Sequence, residues 1–258
     1  MAAHPTAIVH PGAKIDPGAE IGPYCILGDE VQVGAGTRLM AHVYVEGPTW
    51  IGEGNEFYPY SSIGVASQDL KYQGERAETR IGNRNRIREF VTIHRGTRGG
   101  GALTSVGDGV LIMAYAHVAH DCHVGSNVIL ANGVTLGGHV TIGEHAVVGA
   151  FCGVHQFCRV GAHAMVAGYS VLTRDVMPYS VTGAEREAKL FGENKVGLER
   201  RGFSGEAIQS LHKAFRLLKS PRLNTTQALE KIAAEVEACR EVEEVVRFIQ
   251  SSERGVIK

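Results

Sequence analysis

Three histidines and an aspartate crowd into one short stretch of this chain. The chain carries 12 histidines, and the densest stretch reads Ala116-His117-Val118-Ala119-His120-Asp121-Cys122-His123. A neutral imidazole is the usual general base near neutral pH, and an adjacent carboxylate can hold its tautomer and stabilise the imidazolium. His120 and Asp121 offer that pair. Eighteen residues further on stand Gly138 and His139, and another eighteen bring Gln156 and Phe157. If residues 18 apart are neighbours in space, Gly138 lies over His120 and leaves a backbone N–H open to a reacting oxygen, as an oxyanion donor requires. A ladder of polar histidines on a solvated corner is the other reading, and both stay open for His117, His120 and His139. For His145 and His163, also 18 apart, the solvated ladder is expected.

The spacing of 18 comes from a shorter repeat. An aliphatic residue returns every six positions at Val9, Ile15, Ile21, Leu27, Val33, Leu39, Val45 and Ile51, with Phe57 and Ile63 next. The repeat resumes at Ile81, Ile87 and Ile93, and runs unbroken from Val106 to Leu172. A period of six fits neither an α-helix nor a heptad; it indicates a parallel β-helix built from hexapeptides. Position one is aliphatic, position two is often Gly, and position five is small or β-branched, so positions one and five point inward. Three strands make one triangular coil, and positions three and four both face outward at its corners. His120 is at position three and Asp121 at position four. The segment from Ser67 to Thr79 replaces two hexapeptides without changing the register. Between Ile93 and Val106 the spacing is thirteen, and the one extra residue is assigned to the loop from Arg95 to Ser105, which contains Gly96 and the run Gly99 to Gly101.

The repeat stops after Val176, and helical patterning is expected from about Glu185. Ser204 can cap a helix from Gly205 to Leu218 with Ile208, Leu211, Phe215 and Leu218 on one face; Pro221 ends it. A further helix is predicted from Asn224 or Thr225 with Leu229, Ile232, Ala233 and Val236, and another from Glu241 with Val245, Val246 and Ile249. The chain thus divides into a solenoid over 1–184 and a helical domain over 185–258 that covers the last coil. Lys plus Arg is 26 and Asp plus Glu 27, so net charge argues for no nucleic-acid partner. There is no basic-then-apolar leader and no run of 18 apolar residues, so no signal peptide or membrane span is expected, and the location is expected to be cytoplasmic. Of the five cysteines, Cys25, Cys122, Cys152 and Cys158 all fall at inward position five and are read as reduced and structural.

Several strings of the chain together resemble the UDP-N-acetylglucosamine O-acyltransferase family of lipid A biosynthesis. They are Ala116 to Asp121, Asp69-Leu70-Lys71-Tyr72, Ile93-His94-Arg95-Gly96-Thr97, Gly138-His139, Val154-His155-Gln156-Phe157-Cys158 and Arg200-Arg201-Gly202-Phe203-Ser204. The resemblance implies a left-handed β-helix and a transfer of a (3R)-3-hydroxyacyl group from acyl carrier protein to the 3-hydroxyl of UDP-N-acetylglucosamine. It implies His120 as general base, Asp121 as its orienting partner and Gly138 as oxyanion donor. Gln68, Asp69, Lys71, His117, His139, His155 and Gln156 would contact sugar, diphosphate or acyl chain, and Asn194, Arg200 and Arg201 would hold the nucleotide. Gly168 matches the residue that limits acyl length, and a Gly there implies a longer donor. A homotrimer with sites between neighbouring solenoids is implied, and no cofactor beyond the phosphopantetheine of the carrier protein.

The chain departs from the family pattern at Ala184-Glu185-Arg186, with one extra residue before Phe191, and at Val196, where an acidic residue is usual. Zinc enzymes resembling carbonic anhydrases also use hexapeptide solenoids, but His-x-x-His-Asp does not match their ligand pattern, and no metal is expected. The later N-acyltransferase of the same pathway carries a domain before its first coil, for which a repeat starting at Val9 leaves no room. A small acetyl-coenzyme A-dependent acetyltransferase would not need the long helical tail. An inert scaffold would show identical outward residues, which this chain lacks. From Ala207 to Leu229 there is no Asp or Glu, while Lys213, Arg216, Lys219 and Arg222 recur at intervals of three; such a stripe is either a solvated face or a surface that steers an acidic carrier protein.

Overall fold

The computed structural model describes residues 2–183 and 187–258. Short strands, mostly of two residues, are bonded to their counterparts one coil away: Ile8–Val9 pairs with Ile26–Leu27, which pairs in turn with Tyr44–Val45. Among the described residues this gives three sheets of 11, 9 and 8 strands that wrap into a left-handed parallel β-helix. The first strand is Ala2–Ala3, paired with Glu20–Ile21, so the repeat begins one hexapeptide before Val9, with Ala3 in the place of the aliphatic residue.

Positions one and five fill the prism. Ile21, Leu27, Phe57, Ile93, Val118 and Leu136 belong to one continuous buried core. The four inward cysteines are buried and free, and the Cys25, Cys122 and Cys152 thiols donate to carbonyls of Met40, Gly137 and Ala167. Burial pushes the Cys122 thiol up to about 12. Glycine at position two has a packing reason: a Cβ on Gly22 would stand 2.5 Å from the carbonyl oxygen of Met40 in the next coil. Not every inward position is apolar. Thr37, Asn55 and Asn85 form a buried polar ladder in which Asn55 Nδ2 donates to the Gly82 carbonyl at 2.9 Å and Asn55 Oδ1 accepts from the Asn85 N–H at 2.9 Å.

Corners are made at position four by a residue in the left-handed region. Tyr24, His42, Tyr60, Phe90 and Tyr115 on one corner have φ between 57° and 65°, and Asp121, His139 and Phe157 on a second have 57°, 61° and 65°. Because each corner repeats one backbone geometry, the side chains leave in one direction and stack. Tyr24, His42, Tyr60, Phe90 and Tyr115 form a column with centroids 4.9–5.2 Å apart.

Both interruptions are excursions from an intact coil. Ile63 pairs with Ile93 across 30 residues, which is 18 plus the two hexapeptides of the first excursion. Ile93 pairs with Val118 across 25 residues. The second loop therefore removes seven residues from the coil, not the single one expected, and a 3₁₀ turn at Arg98–Gly100 lies within it.

Beyond the last coil, Ser180–Thr182 pairs antiparallel with Leu190–Glu193, so a strand precedes the first helix, where helical structure was expected from Glu185 onward. The expected boundary after residue 184 and the departure at Ala184-Glu185-Arg186 lie outside the described residues. Four helices follow: α1 (Lys195–Arg200), α2 (Gly205–Leu218), α3 (Thr225–Glu235) and α4 (Arg240–Gln250). Ser204 caps α2 and Asn224 caps α3 through a capping box with Gln227. In α3 the buried alanine is Ala228, not Ala233, because the face turned to α2 runs through Ala228 and Ile232. The helices are joined to the solenoid through buried Asp175, whose carboxylate accepts from Arg159 Nε at 2.9 Å and Ser252 Oγ at 2.8 Å, while Arg159 stacks on Phe248. Ile257 reaches the end of the solenoid core. No helix among the described residues is long and apolar enough to cross a membrane.

Replacing Asn55 by Ala strands the Gly82 carbonyl and the Asn85 N–H in a dry interior. Urea unfolding should show a loss of about 1–3 kcal/mol; a midpoint equal to that of the parent would mean the ladder contributes nothing.

Candidate active site

His120 leaves the coil at position three and Asp121 at position four of the same corner, and the turn between them brings imidazole and carboxylate together. His120 Nδ1 lies 2.8 Å from Asp121 Oδ2. A carboxylate only accepts, so Nδ1 carries the hydrogen and the lone pair of the neutral ring is on Nε2. One coil on, a Cβ at Gly138 would stand 2.5 Å from both Nε2 and Cε1 of His120. Only glycine leaves that nitrogen uncovered, and among the described residues nothing accepts a hydrogen bond from the Gly138 N–H.

Asp121 sits at an outward position but is not exposed. Its side chain has no accessible surface, whereas that of His120 keeps 13%. The cover is the second excursion: Thr97 N–H donates to Asp121 Oδ1 at 2.8 Å, Thr97 Oγ1 donates to Oδ2 at 2.7 Å, and Thr104 Oγ1 accepts from the Asp121 N–H at 2.8 Å. His139 meets the His120 ring edge-on at 5.0 Å, stacks on Phe157 at 4.4 Å, and holds Nε2 3.9 Å from Asp121 Oδ2. Ligand atoms of His120, Asp121 and His139 lie within 4.8 Å of one another, the one group of metal-like geometry among the described residues. Asp121 Oδ2 already accepts from Thr97 and His120, so a cation there would compete with both bonds.

Further imidazoles back this cluster. His117 Nδ1 is 2.7 Å from Thr92 Oγ1, and its ring meets His94 edge-on at 4.8 Å. Burial, with His117 and His120 adding to it, lowers the His94 imidazole to about 4. Burial likewise lowers His117, with His120 adding to it. His139 is also lowered by burial, against an opposing pull from the Asp121 carboxylate. These rings are neutral near pH 7.

The first excursion forms the opposite wall. A groove of about 680 Å³ runs between Asp69, Lys71, Thr97 and Arg98 on the loops and His139 and Phe157 on the corner. Asp69 Oδ1 accepts from the Lys71 N–H at 3.0 Å, and Glu75 Oε1 accepts from the Arg98 N–H at 3.2 Å, tying one excursion to the other. Gln68 and Lys71 are exposed on this loop, and His155 and Gln156 are exposed beside Phe157.

The remaining sequence-predicted residues lie elsewhere, because offsets that are not multiples of the coil fall on other corners. Asn194 caps α1, accepting from the Gly197 N–H at 3.2 Å and donating to the His163 carbonyl at 2.9 Å. Arg201 Nη2 donates to the His145 carbonyl at 3.3 Å, and Arg200 is exposed nearby. On that corner His145, His163 and Tyr179 stack; His163 is buried with Phe203 against its edge, so the pair is not the solvated ladder expected. Gly168 is on the third corner, where a Cβ would stand 3.2 Å from the Ala150 carbonyl oxygen. Thr97 stands in one of the strings that carry the resemblance but without a role, and Thr104 is not singled out, because the excursion breaks the count of 18: Thr97 is 24 residues from Asp121.

The neutral His94 has a consequence for stability. Its pKa in the fold is about 4, against an ordinary 6.5, so below pH 6.5 the unfolded chain takes up a proton that the fold refuses. Its contribution is intact above pH 6.5 and declines as the pH falls toward 4, by up to about 1.4 kcal/mol per pH unit. His94→Gln should flatten the pH dependence of unfolding in that window; an unchanged slope would contradict the buried neutral ring.

Comparison with known proteins identifies the family. The family model described as UDP-N-acetylglucosamine O-acyltransferase, domain 2, matches residues 175–257, and the bacterial transferase hexapeptide model matches 104–138 and 139–174. An acyl-[acyl-carrier-protein]–UDP-N-acetylglucosamine O-acyltransferase of Thermodesulfovibrio yellowstonii is 46% identical over 99% of this chain and 98% of its own. One from Syntrophobacter fumaroxidans is 45% identical over the whole of both chains. The crystal structure of LpxA, a UDP-N-acetylglucosamine acyltransferase from Bacteroides fragilis, superposes with a TM-score of 0.96 at 40% identity over 99% of each chain. With likeness running from end to end in sequence and in coordinates, the chain belongs to the UDP-N-acetylglucosamine O-acyltransferase family.

Proposed function

We propose that this protein transfers a (3R)-3-hydroxyacyl group from acyl carrier protein to the 3-hydroxyl of UDP-N-acetylglucosamine, the first step of lipid A biosynthesis. The observation that carries the mechanism is His120, bonded through Nδ1 to a buried carboxylate, with its free Nε2 over a glycine. Nε2 takes the proton of the sugar hydroxyl as the oxygen attacks the thioester carbonyl. Negative charge grows on the carbonyl oxygen, where the Gly138 N–H can donate. Asp121 stabilises the imidazolium in the meantime. Collapse expels the thiolate of the phosphopantetheine arm, which takes up the proton from His120. The protein needs no cofactor of its own in this scheme.

Asp69, Lys71 and His139 border the groove beside His120 and would hold the sugar and diphosphate, with Gln68, His117, His155 and Gln156 around them. Asn194, Arg200 and Arg201 would hold the nucleotide and Gly168 would bound the acyl chain. Asn194, Arg200 and Arg201 lie at α1 against the His145–His163 corner and Gly168 lies on the third corner, so one site containing them all takes residues from more than one copy; a homotrimer with sites between solenoids meets that need. Leu70, fully exposed at the tip of the first excursion, suits a loop that reaches toward a neighbour. Lys213, Arg216, Lys219 and Arg222 are exposed along α2 and its end, a surface fitted to an acidic carrier protein. The reading also carries a cytoplasmic location.

His120→Ala should lower turnover of the carrier-bound donor by about 10²–10⁴-fold while leaving UDP binding intact; retained turnover removes His120 as the base. Gly168→Met should shift preference to shorter hydroxyacyl donors in a competition assay across chain lengths, and an unmoved profile would sink that assignment.

A further inference from the structure

The loop that removes seven residues from the coil does more than close a gap. Asp121 is a fully buried carboxylate, and two of its three hydrogen bonds among the described residues come from the N–H and the hydroxyl of a single loop residue, Thr97. The third comes from His120 Nδ1. The loop backbone closes tightly over the group: a Cβ at Gly100 would stand 2.1 Å from Asp121 Cγ, and one at Gly96 2.8 Å from Oδ1. Glycine at both places lets Thr97 come within bonding distance. Across the loop, Thr104 Oγ1 holds the Asp121 N–H while the backbone keeps a left-handed φ of 57°.

One donor at Oδ1 would leave the carboxylate free to swing about the Cβ–Cγ bond. A second donor at Oδ2 from the same residue fixes its plane, and with it the direction from which Oδ2 receives the His120 N–H. We infer that Thr97 is a positioning residue of the reaction, its hydroxyl locking the Asp121 carboxylate so that His120 keeps its hydrogen on Nδ1 and its lone pair on Nε2. This rests on His120 acting as the base. Thr97 lines the groove, but its N–H and its hydroxyl are both committed to Asp121, so it acts through that carboxylate. Since the same loop donates the Arg98 N–H to Glu75, the wall of the groove and the orientation of the base share one support.

Steady-state kinetics with ¹⁵N NMR of the His120 ring tests this in the full-length protein. Thr97→Val should lower kcat about 10- to 100-fold, the value of a hydrogen bond to a charged group, with little change in KM for UDP-N-acetylglucosamine. It should also move the neutral ring from the Nδ1–H toward the Nε2–H form. Thr97→Ser should restore both, and Thr97→Ala, which keeps the backbone N–H, serves if the valine variant does not fold. In an Asp121→Ala background Thr97→Val should cost nothing further. Full kcat with an unaltered tautomer in Thr97→Val, a serine variant as impaired as valine, or an undiminished loss in the Asp121→Ala background would each overturn the inference. His120→Ala separates the two readings: retained turnover there defeats the base itself, whereas an inactive His120→Ala beside a fully active Thr97→Val defeats only the role of Thr97.

Discussion

Backbone pairing between successive coils is the constraint on which the rest of this protein depends. Strands inside the solenoid take their partners from the coils before and after them, so the N–H and C=O groups of a buried wall are satisfied only when the register is kept. The register then dictates side chains. Position four turns each corner in the left-handed region, and residues 18 apart leave their corner in one direction. Rings that would be scattered in another fold become columns, as Tyr24 to Tyr115 on one edge and His139 on Phe157 on another show. The same rule sets Gly138 against the His120 imidazole. The site is thus a local variation in a repeated geometry, and its precision derives from the pairing that holds the wall together.

A strict repeat cannot build a cleft, because its outer faces are nearly flat. The two excursions supply relief. The first leaves the coil for two hexapeptides and stands beside the His139 corner; the second folds back over Asp121 and removes it from water. Burying a carboxylate is costly unless its lone pairs are met, and Thr97 and His120 meet them. A histidine–aspartate pair on an exposed corner would exchange partners with solvent. Beneath the loop it has one arrangement. The surrounding imidazoles add to this: burial lowers His94, His117 and His139, so near neutral pH the His139 ring, 3.9 Å from the Asp121 carboxylate, brings no positive charge to it.

An open solenoid end presents unpaired strand edges, and the helices close it. Asp175 gathers Arg159 and Ser252 at the last coil, and Tyr179 donates to Glu244 of α4 at 2.5 Å, so the cap is bonded to the prism by polar groups as well as by the apolar faces of α2 and α4. α1, capped by Asn194, lies against the His145–His163–Tyr179 column. The cap therefore adds a different chemistry, Arg200 and Arg201, to a corner adjoining that of His120.

Much of this was readable from residue order alone, for a physical reason: a hexapeptide period reports local packing that repeats without long-range information. It determined the coil, the inward positions, the structural role of the four cysteines and the stacking of Gly138 on His120, while helical spacing and Ser204 marked the buried face and the cap of α2. It failed where the chain left the repeat. A loop length cannot reveal that Ile93 pairs with Val118 across 25 residues, nor that Thr97 closes on a carboxylate 24 residues away. It also misjudged burial at the corners, since whether an outward residue meets water depends on what else arrives there: Asp121 is covered by the second excursion and His163 by Phe203 and Tyr179. Sequence alone decided which residues share an edge of the prism, because backbone pairing leaves no alternative register. Only the tertiary structure decided which of those edges are covered, because the covering segments come from parts of the chain that obey no period.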